Sequence, residues 1–199
     1  AARMPDAVSF EAGAAYPIQA LTAWHMMHTV YDLQPGQTVL IHAAGGGVGL
    51  CAIQLARLAG ARVIGTVGTP GKEVKPLHYG AEAVVNLNDP DADFVETVME
   101  LTAGRGADLA LDSLGGKTLD RTYDAVKMLG TIVNYGEGEA PPIENVRARV
   151  MQRSQLFCRF TIFHVPPGTE AFRRANEAVL GALAGGELEV PVVKTFPLA

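Results

Sequence analysis

Two patterns of apolar and polar positions alternate along the chain. Short, almost wholly apolar runs alternate with longer stretches in which apolar residues recur every three or four positions, the spacing of an amphipathic helix. The short runs predict strands at residues 38–42, 62–67, 83–86, 109–112, 131–134 and 156–163. The longer stretches predict helices at 50–58, 72–79, 92–102, 117–128 and 170–183, with 136–142 irregular.

The alternation of strand and helix predicts an α/β fold, a doubly wound parallel sheet of the Rossmann type with helices on both faces. The strands do not alternate between apolar and polar residues, as expected where both faces of a sheet are covered. The 199 residues are enough for one domain and too few for two. We therefore expect a single domain over 1–199. Its flanks, 1–15 before the first helix and 190–199 after the last, are less self-contained.

Composition and charge exclude several classes of function. With 48% hydrophobic residues the chain can build a core, and its net charge of −5 without basic runs argues against nucleic acid as a partner. No apolar stretch approaches the roughly 20 residues that span a bilayer, which argues against a membrane partner. Residues 1–10 contain no hydrophobic signal core, and Cys51 and Cys158 have no metal-like spacing. Two buried thiols and no export signal predict a cytoplasmic location.

The sharpest motif is the glycine-rich segment 43–49, AAGGGVG, between the first strand and the first crossover helix. It fits AxxGxxG through Ala43, Gly46 and Gly49, whereas GxGxxG would need a glycine at Leu50. Dinucleotide binding needs a tight turn, a backbone bare enough to approach a pyrophosphate, and a small residue where helix meets strand. Small residues also occur in ordinary strand-to-helix turns, but the surrounding strand–turn–helix–strand unit favours dinucleotide binding.

The residues after the second strand indicate which dinucleotide binds. An NAD site usually places Asp or Glu there to bind the ribose hydroxyls. Here Gly68 and Thr69 occupy that place, and the first acid is Glu73. Lys72 can meet a 2′-phosphate as a point charge, although a solvated lysine at a helix start is the alternative interpretation. The sequence thus favours NADPH.

Three other motifs point to different chemistry and are set aside. The GGKT at 115–118 resembles the tail of a P-loop, but Leu111 stands where its leading glycine belongs. Tyr123 and Lys127 form a YxxxK pair of the short-chain dehydrogenase type, but they precede the fifth strand and the first turn lacks the matching glycines. His25 and His28 could share a metal, but no third ligand is near in sequence.

Taken together, the motifs resemble the medium-chain dehydrogenase/reductases, and within them the zinc-free quinone oxidoreductases. The segments that carry the resemblance are LTAWH at 21–25, LQPG at 33–36, VLIHAAGGGVG at 39–49, GTVGT at 65–69 with Lys72, DSLGG at 112–116 and GGEL at 185–188. The resemblance implies NADPH-dependent hydride transfer to quinones or activated carbon–carbon double bonds. It also implies a homodimer joined through the apolar edge strand 156–163.

The same resemblance implies a set of cofactor-binding residues. Gly46, Gly47 and Val48 would hold the pyrophosphate, Gly68, Thr69 and Lys72 would surround the adenosine phosphate, Ser113, Tyr135 and Gly136 would line the nicotinamide side, and Thr22 would lie behind the nicotinamide. Family members carry a GroES-like substrate domain of roughly a hundred residues, which is absent from this sequence. Because the residues that polarise the substrate mostly lie there, we assign no catalytic residue, and we expect this chain alone to turn over poorly.

The sequence departs from the family pattern at a few positions. Leu87 replaces a tyrosine that many quinone reductases place near the 2′-phosphate, and Glu137 and Glu139 bring unexplained negative charge to the cofactor mouth. Two alternatives stay open. One is the enoyl reductase domain of a modular polyketide or fatty-acid synthase, and the other is an NADPH-binding module without turnover.

Overall fold

The fold is described by a computed structural model, which covers residues 3–139 and 145–196. Within these residues six parallel strands form one sheet in the order β3-β2-β1-β4-β5-β6. The strands are β1 Thr38–Ile41, β2 Arg62–Val67, β3 Ala83–Asn86, β4 Ala107–Asp112, β5 Val126–Asn134 and β6 Leu156–Arg159. This strand order is that of a dinucleotide-binding sheet, and it reverses between β1 and β4.

Helices cover both faces of the sheet. They are α1 Phe10–His25, α2 Gly47–Leu58, α3 Val74–His78, α4 Phe94–Leu101, α5 Gly116–Ala125, α6 Val146–Arg153 and α7 Glu170–Ala184. Buried residues of α1, α2 and α7 pack on one face, together with Val39 and Ile41 of β1. Buried residues of α4 and α5 pack on the other face against Leu40. The predicted doubly wound fold is confirmed.

Two predicted boundaries are wrong for identifiable reasons. The first helix begins at Phe10, inside the flank assigned to 1–15, because the Ser9 hydroxyl caps it by accepting from the Ala12 amide at 3.2 Å. The helix predicted over 117–128 ends at Ala125, and Val126 already pairs with Ala107 of β4. The apolar spacing continues through the junction, so periodicity alone places the boundary too late.

The region around β6 differs most from the prediction. Helix α6 was not predicted, and it begins where Asn145 Oδ1 accepts from the Ala148 amide at 3.0 Å. The rest of the predicted irregular loop, from residue 140, lies outside the described residues. Strand β6 stops at Arg159 rather than at residue 163, and a short 3₁₀ turn follows at Ile162–His164.

The prediction of two buried thiols holds for Cys51 and is wrong for Cys158. Cys51 is buried in α2 and Cys158 is half-buried in β6, and neither forms a disulfide. Among the described residues, no helix is both long and apolar enough to cross a bilayer.

Candidate functional site

The glycine turn leads from β1 into α2 with little space for side chains. Ala43 has φ +50°, a left-handed conformation uncommon for residues other than glycine, and its carbonyl accepts from the Gly46 amide at 2.9 Å. A Cβ atom added to Gly49 would lie 2.5 Å from the Ala43 oxygen. The third small residue of the motif is therefore required where the helix meets the strand, as the sequence predicted.

The start of α2 presents backbone donors. Gly46, at the N-cap, offers no side-chain cap, and its own amide is bound to Ala43. The amides of Gly47 and Val48 lie in the first helical turn, and no residue that the structure describes accepts from them. Because the helix dipole also favours negative charge here, this end of α2 suits an anion. Gly47 and Val48 thus provide the donors, while Gly46 provides a bare approach.

Gln19 on α1 lies directly against this turn, although the sequence analysis missed it. A Cβ added to Gly47 would lie 2.6 Å from Gln19 Cδ, and Gln19 Oε1 is buried without a hydrogen-bond partner among the described residues. Thr22, one helical turn further along α1, is buried with 6% of its surface exposed. No local sequence pattern predicts that Gln19 contacts the glycine turn. Gln19 lies 28 residues before Gly47, and the packing of α1 on α2 brings the two together.

The predicted adenosine residues lie together beyond β2. Gly68 and Thr69 follow the strand directly, and a Cβ added to Gly68 would meet nothing within 4 Å. The Thr69 carbonyl accepts from the Lys72 amide at 3.2 Å, which turns the chain back. Lys72 then packs on the glycine turn, since a Cβ added to Gly45 would lie 3.2 Å from the Lys72 oxygen. The structure therefore brings Lys72 beside the start of α2.

Residues at and just after the end of β3 support this side of the predicted site. Leu87 donates its amide to the Val67 carbonyl at 2.8 Å, and its side chain packs against the core on the α4 and α5 face. Asn86 Nδ2 donates to Glu73 Oε1 at 3.0 Å, and Asn88 Nδ2 donates to the Gly68 carbonyl. The side chain that replaces the family tyrosine is thus a packing residue here.

A buried carboxylate organises the ends of β4 and β5. Asp112 Oδ2 accepts from the Gly115 amide at 3.0 Å and from Asn134 Nδ2 at 2.7 Å. Burial raises the pKa of Asp112, and these hydrogen bonds oppose that shift. Asn134 Nδ2 also donates to the Gly136 carbonyl at 2.8 Å, so one carboxylate and one amide fix both loops.

The three residues predicted on the nicotinamide side are brought together by these loops. The Tyr135 amide donates to the Asp112 carbonyl at 2.8 Å, and a Cβ added to Gly136 would lie 2.6 Å from the Ser113 oxygen. Burial raises the pKa of Tyr135 to about 12, against the opposing effect of a hydrogen bond with the Ser113 side chain. The phenol therefore keeps its proton at neutral pH.

The two unexplained glutamates have structural partners. Glu139 binds Thr118 at the start of α5, and Glu137 forms an ion pair with Arg159 of β6. Both carboxylates are thus engaged within the protein beside the mouth of the site.

Of the motifs set aside from the sequence, GGKT at 115–118 forms the turn into α5 just after Ser113, and the tyrosine, lysine and histidine residues make contacts of their own. Tyr123 is 1% exposed in the core, and Lys127 stands on β5 and forms an ion pair with Asp108 at 2.5 Å. His25 Nδ1 is 2.9 Å from the Thr29 hydroxyl. Within the described residues, no three His, Cys, Asp or Glu side chains come together in a way that could hold a metal ion.

Comparison with known proteins agrees with this geometry. The family model described as zinc-binding dehydrogenase matches residues 47–180, from the start of α2 into α7. The chain belongs to this family. The resemblance to the medium-chain dehydrogenase/reductases is thereby confirmed. Because the described residues do not supply a zinc site, we derive no step through that metal.

The relatives of this family member are longer proteins. Quinone oxidoreductase 1 of Escherichia coli is 33% identical over 202 residues, which cover all of this chain and 61% of that protein. The highly reducing polyketide synthase ZEA2 of Gibberella zeae is 36% identical over 201 residues, 98% of this chain and 8% of the synthase. The crystal structure of E. coli quinone oxidoreductase with NADPH superposes with a TM-score of 0.88 at 32% identity, covering 96% of this chain and 59% of that one. The chain thus spans less than two thirds of each.

Proposed function

We propose that this chain is the cofactor-binding part of an NADPH-dependent reductase that transfers hydride to quinones or to activated carbon–carbon double bonds. The observation that carries the proposal is the start of α2, where the amides of Gly47 and Val48 have no acceptor in the described chain and Lys72 lies alongside. The relatives, quinone oxidoreductases among them, support the reaction class.

The residues present fit the cofactor. Gly47 and Val48 would donate to the pyrophosphate, which approaches over the bare Gly46. Gly68 leaves open space for the adenosine ribose, Thr69 offers a hydroxyl, and Lys72 offers the positive charge that a 2′-phosphate requires. No carboxylate follows β2 directly, which favours NADPH over NADH.

At the ends of β4 and β5, beyond the point between β1 and β4 where the strand order reverses, the nicotinamide pocket would be lined by Ser113, Tyr135 and Gly136. Thr22 would lie behind it. When bound, NADPH supplies the hydride, and this part of the protein fixes its position. Asp112 and Asn134 hold the two loops in place, and the protonated Tyr135 phenol offers a hydrogen-bond donor at neutral pH.

A homodimer through β6 forms part of this proposal. Among the described residues β6 is the last strand of the sheet, and no described strand pairs with the backbone groups of its outer edge. Large apolar side chains flank it, with Leu156 65% and Phe163 81% exposed. We also place the protein in the cytoplasm, which the free thiols of Cys51 and Cys158 support.

An enoyl reductase domain of a polyketide synthase is the second candidate. The 36% identity to ZEA2 over nearly all of this chain favours it specifically. The two candidate functions differ in the acceptor, because an enoyl reductase domain would reduce an enoyl thioester in preference to a small quinone. An NADPH-binding module without turnover would reduce neither acceptor, even within a full-length protein.

The proposal is tested by calorimetric titration of the chain with NADPH. Gly46 has φ −86°, which other residues adopt, and a Cβ there would lie 3.2 Å from the Ala43 oxygen, so Gly46→Val adds a side chain at the start of α2 with one tight backbone contact; thermal unfolding checks that the variant is folded. We expect NADPH affinity to fall by about tenfold or more, since hydrogen bonds to charged groups contribute roughly 1.5–3 kcal/mol. Gly181→Ala on the exposed side of α7, where a Cβ meets nothing within 4 Å, is the matched control. No NADPH binding by the unmutated chain, or equal binding by Gly46→Val, would contradict the proposal.

A further inference from the structure

Two asparagines connect the ends of β2 and β3. Asn86, the last residue of β3, stands opposite Val67, the last residue of β2. Its Nδ2 donates to Glu73 Oε1 at 3.0 Å, and its Oδ1 accepts from the Asn88 amide at 3.1 Å. Because Gly68 and Lys72 follow β2, these hydrogen bonds lie at the edge of the adenosine part of the proposed site.

Glu73 is the carboxylate that this arrangement restrains. A carboxylate after the second strand is the group that binds the ribose hydroxyls of NAD in related folds, and it would repel a 2′-phosphate. Glu73 is also the direct neighbour of Lys72 in sequence. The Lys72 ammonium forms no ion pair with any residue that the structure describes. Glu73, next to it in sequence and held by Asn86, is thus a carboxylate that would compete for this lysine if it were released.

We propose that Asn86 is a specificity-determining residue for the cofactor. By donating to Glu73 Oε1, it holds the carboxylate toward β3, where it neither pairs with Lys72 nor accepts a ribose hydroxyl. A neutral amide does this without bringing a second positive charge that would compete with Lys72. The inference rests on the proposed function, because it concerns the choice between NADPH and NADH at that site.

The test uses Asn86→Ser, which changes no charge. The serine hydroxyl can still accept from the Asn88 amide but is too short to reach Glu73. The quantity measured is the ratio of the dissociation constants of NADH and NADPH, from titrations that need no substrate. We expect this ratio to fall about two- to fivefold, the strength of an exposed ion pair, because Glu73 then pairs with Lys72.

The double variant Asn86→Ser/Glu73→Gln shows whether the Glu73 charge causes the fall in the ratio. Removing the Glu73 charge should restore the ratio, while Glu73→Gln alone should not lower it. Asn86→Asp keeps the size of the side chain and the acceptor for the Asn88 amide, but it repels Glu73 and should therefore lower the ratio of the NADH and NADPH dissociation constants further. This variant replaces Asn86→Ser in the test if thermal unfolding shows that the serine variant does not fold.

The outcomes separate this inference from the proposed function. The role of Asn86 alone is overturned if the chain binds NADPH but Asn86→Ser leaves the ratio of the NADH and NADPH dissociation constants unchanged. It is also overturned if Asn86→Ser lowers this ratio and adding Glu73→Gln does not restore it. A chain that binds neither dinucleotide overturns the proposed function and this inference with it.

Discussion

Glu139 binds both polar groups of Thr118 at the start of α5. Its Oε1 accepts from the Thr118 hydroxyl at 2.7 Å, and its Oε2 accepts from the Thr118 amide at 3.0 Å. The N-cap residue Gly115 has no side chain that could do this. The carboxylate therefore replaces a local cap from 21 residues downstream and connects α5 to the loop after β5.

Glu139→Ala should lower the free energy of unfolding by about 1–2 kcal/mol, since it removes the cap of α5 and leaves the buried Thr118 groups without their acceptor. Chemical denaturation measures the change. Glu137→Ala is the control, because Glu137 and its partner Arg159 are both exposed and such pairs contribute about 0–1 kcal/mol. Equal losses in the two variants would show that Glu139 does not act as a cap.

His42, directly after β1, links β2 to α5 through its ring. Thr122 Oγ1 donates to the Thr118 carbonyl at 2.7 Å, so it accepts from His42 Nε2 at 2.9 Å, and Nδ1 lies 2.8 Å from the Thr66 hydroxyl. Complete burial lowers the pKa of His42 to about 3. The ring is therefore neutral at pH 7, and Nδ1 accepts from the Thr66 hydroxyl.

This neutral histidine should make stability depend on pH. Since the unfolded chain has a histidine pKa near 6.5, it binds more protons than the folded protein between about pH 6.5 and pH 3. The contribution of His42 is fully present above pH 6.5 and is lost as the pH falls, by at most about 1.4 kcal/mol per pH unit. Unfolding titrations of His42→Gln from pH 7 to pH 4 should show a flatter dependence than the unmutated chain. Exposed His78→Gln is the control, and an unchanged slope in His42→Gln would refute the assignment.

Lys72→Ala should weaken NADPH binding by about ten- to a hundredfold while leaving NADH binding unchanged, because it removes a charged hydrogen bond to the 2′-phosphate alone. Lys75→Ala, an exposed lysine on α3, controls for a general loss of positive charge. Fluorescence titration with both dinucleotides measures the effect. Equal affinity of the unmutated chain for NADPH and NADH would contradict the assignment of Lys72.

Leu156→Lys and Phe163→Lys should shift the proposed dimer toward monomer, because a charge beside an edge strand opposes pairing with a second sheet. Sedimentation velocity over a range of concentrations measures the shift. Leu58→Lys changes an apolar residue that is 50% exposed at the end of α2, far along the chain from β6, and should have no effect. An unmutated chain that is monomeric at every concentration would refute the dimer.

Elements set by local signals were predicted well. The bounds of β2 and β3 agree with the sequence to the residue, because apolar runs end there at glycine or polar positions. The turn from Ala43 to Gly49 was also predicted, since its spacing reflects backbone contacts within the motif. The assignments of cofactor-binding residues stay predictions.

Elements set by distant contacts were not predictable in this way. Helix α6 packs only Val146 and Val150 against the core, and Arg149 attaches it to α5 through Asp120 at 2.9 Å and Asp124 at 2.8 Å. The change from helix to strand at Val126 depends on pairing with β4, and the contact of Gln19 with the glycine turn depends on helix packing. Each depends on a partner more than 15 residues away, which neither periodicity nor motif spacing can report.

The chain should bind NADPH and still reduce acceptors very slowly. The proposed anion-binding turn, adenosine side and nicotinamide loops lie between Thr38 and Gly136, with Thr22 of α1 behind them, so the proposed site would provide the binding half of the reaction. The wall that would hold the acceptor against the nicotinamide is not formed by these elements, and positioning of reactants can supply about 7–11 kcal/mol of a barrier. Turnover with saturating NADPH and a small quinone should therefore be many powers of ten below that of a full-length quinone oxidoreductase, at comparable NADPH affinity. Comparable turnover would show that the catalytic site lies within this chain, and the assignment of binding and catalysis to separate parts would be wrong.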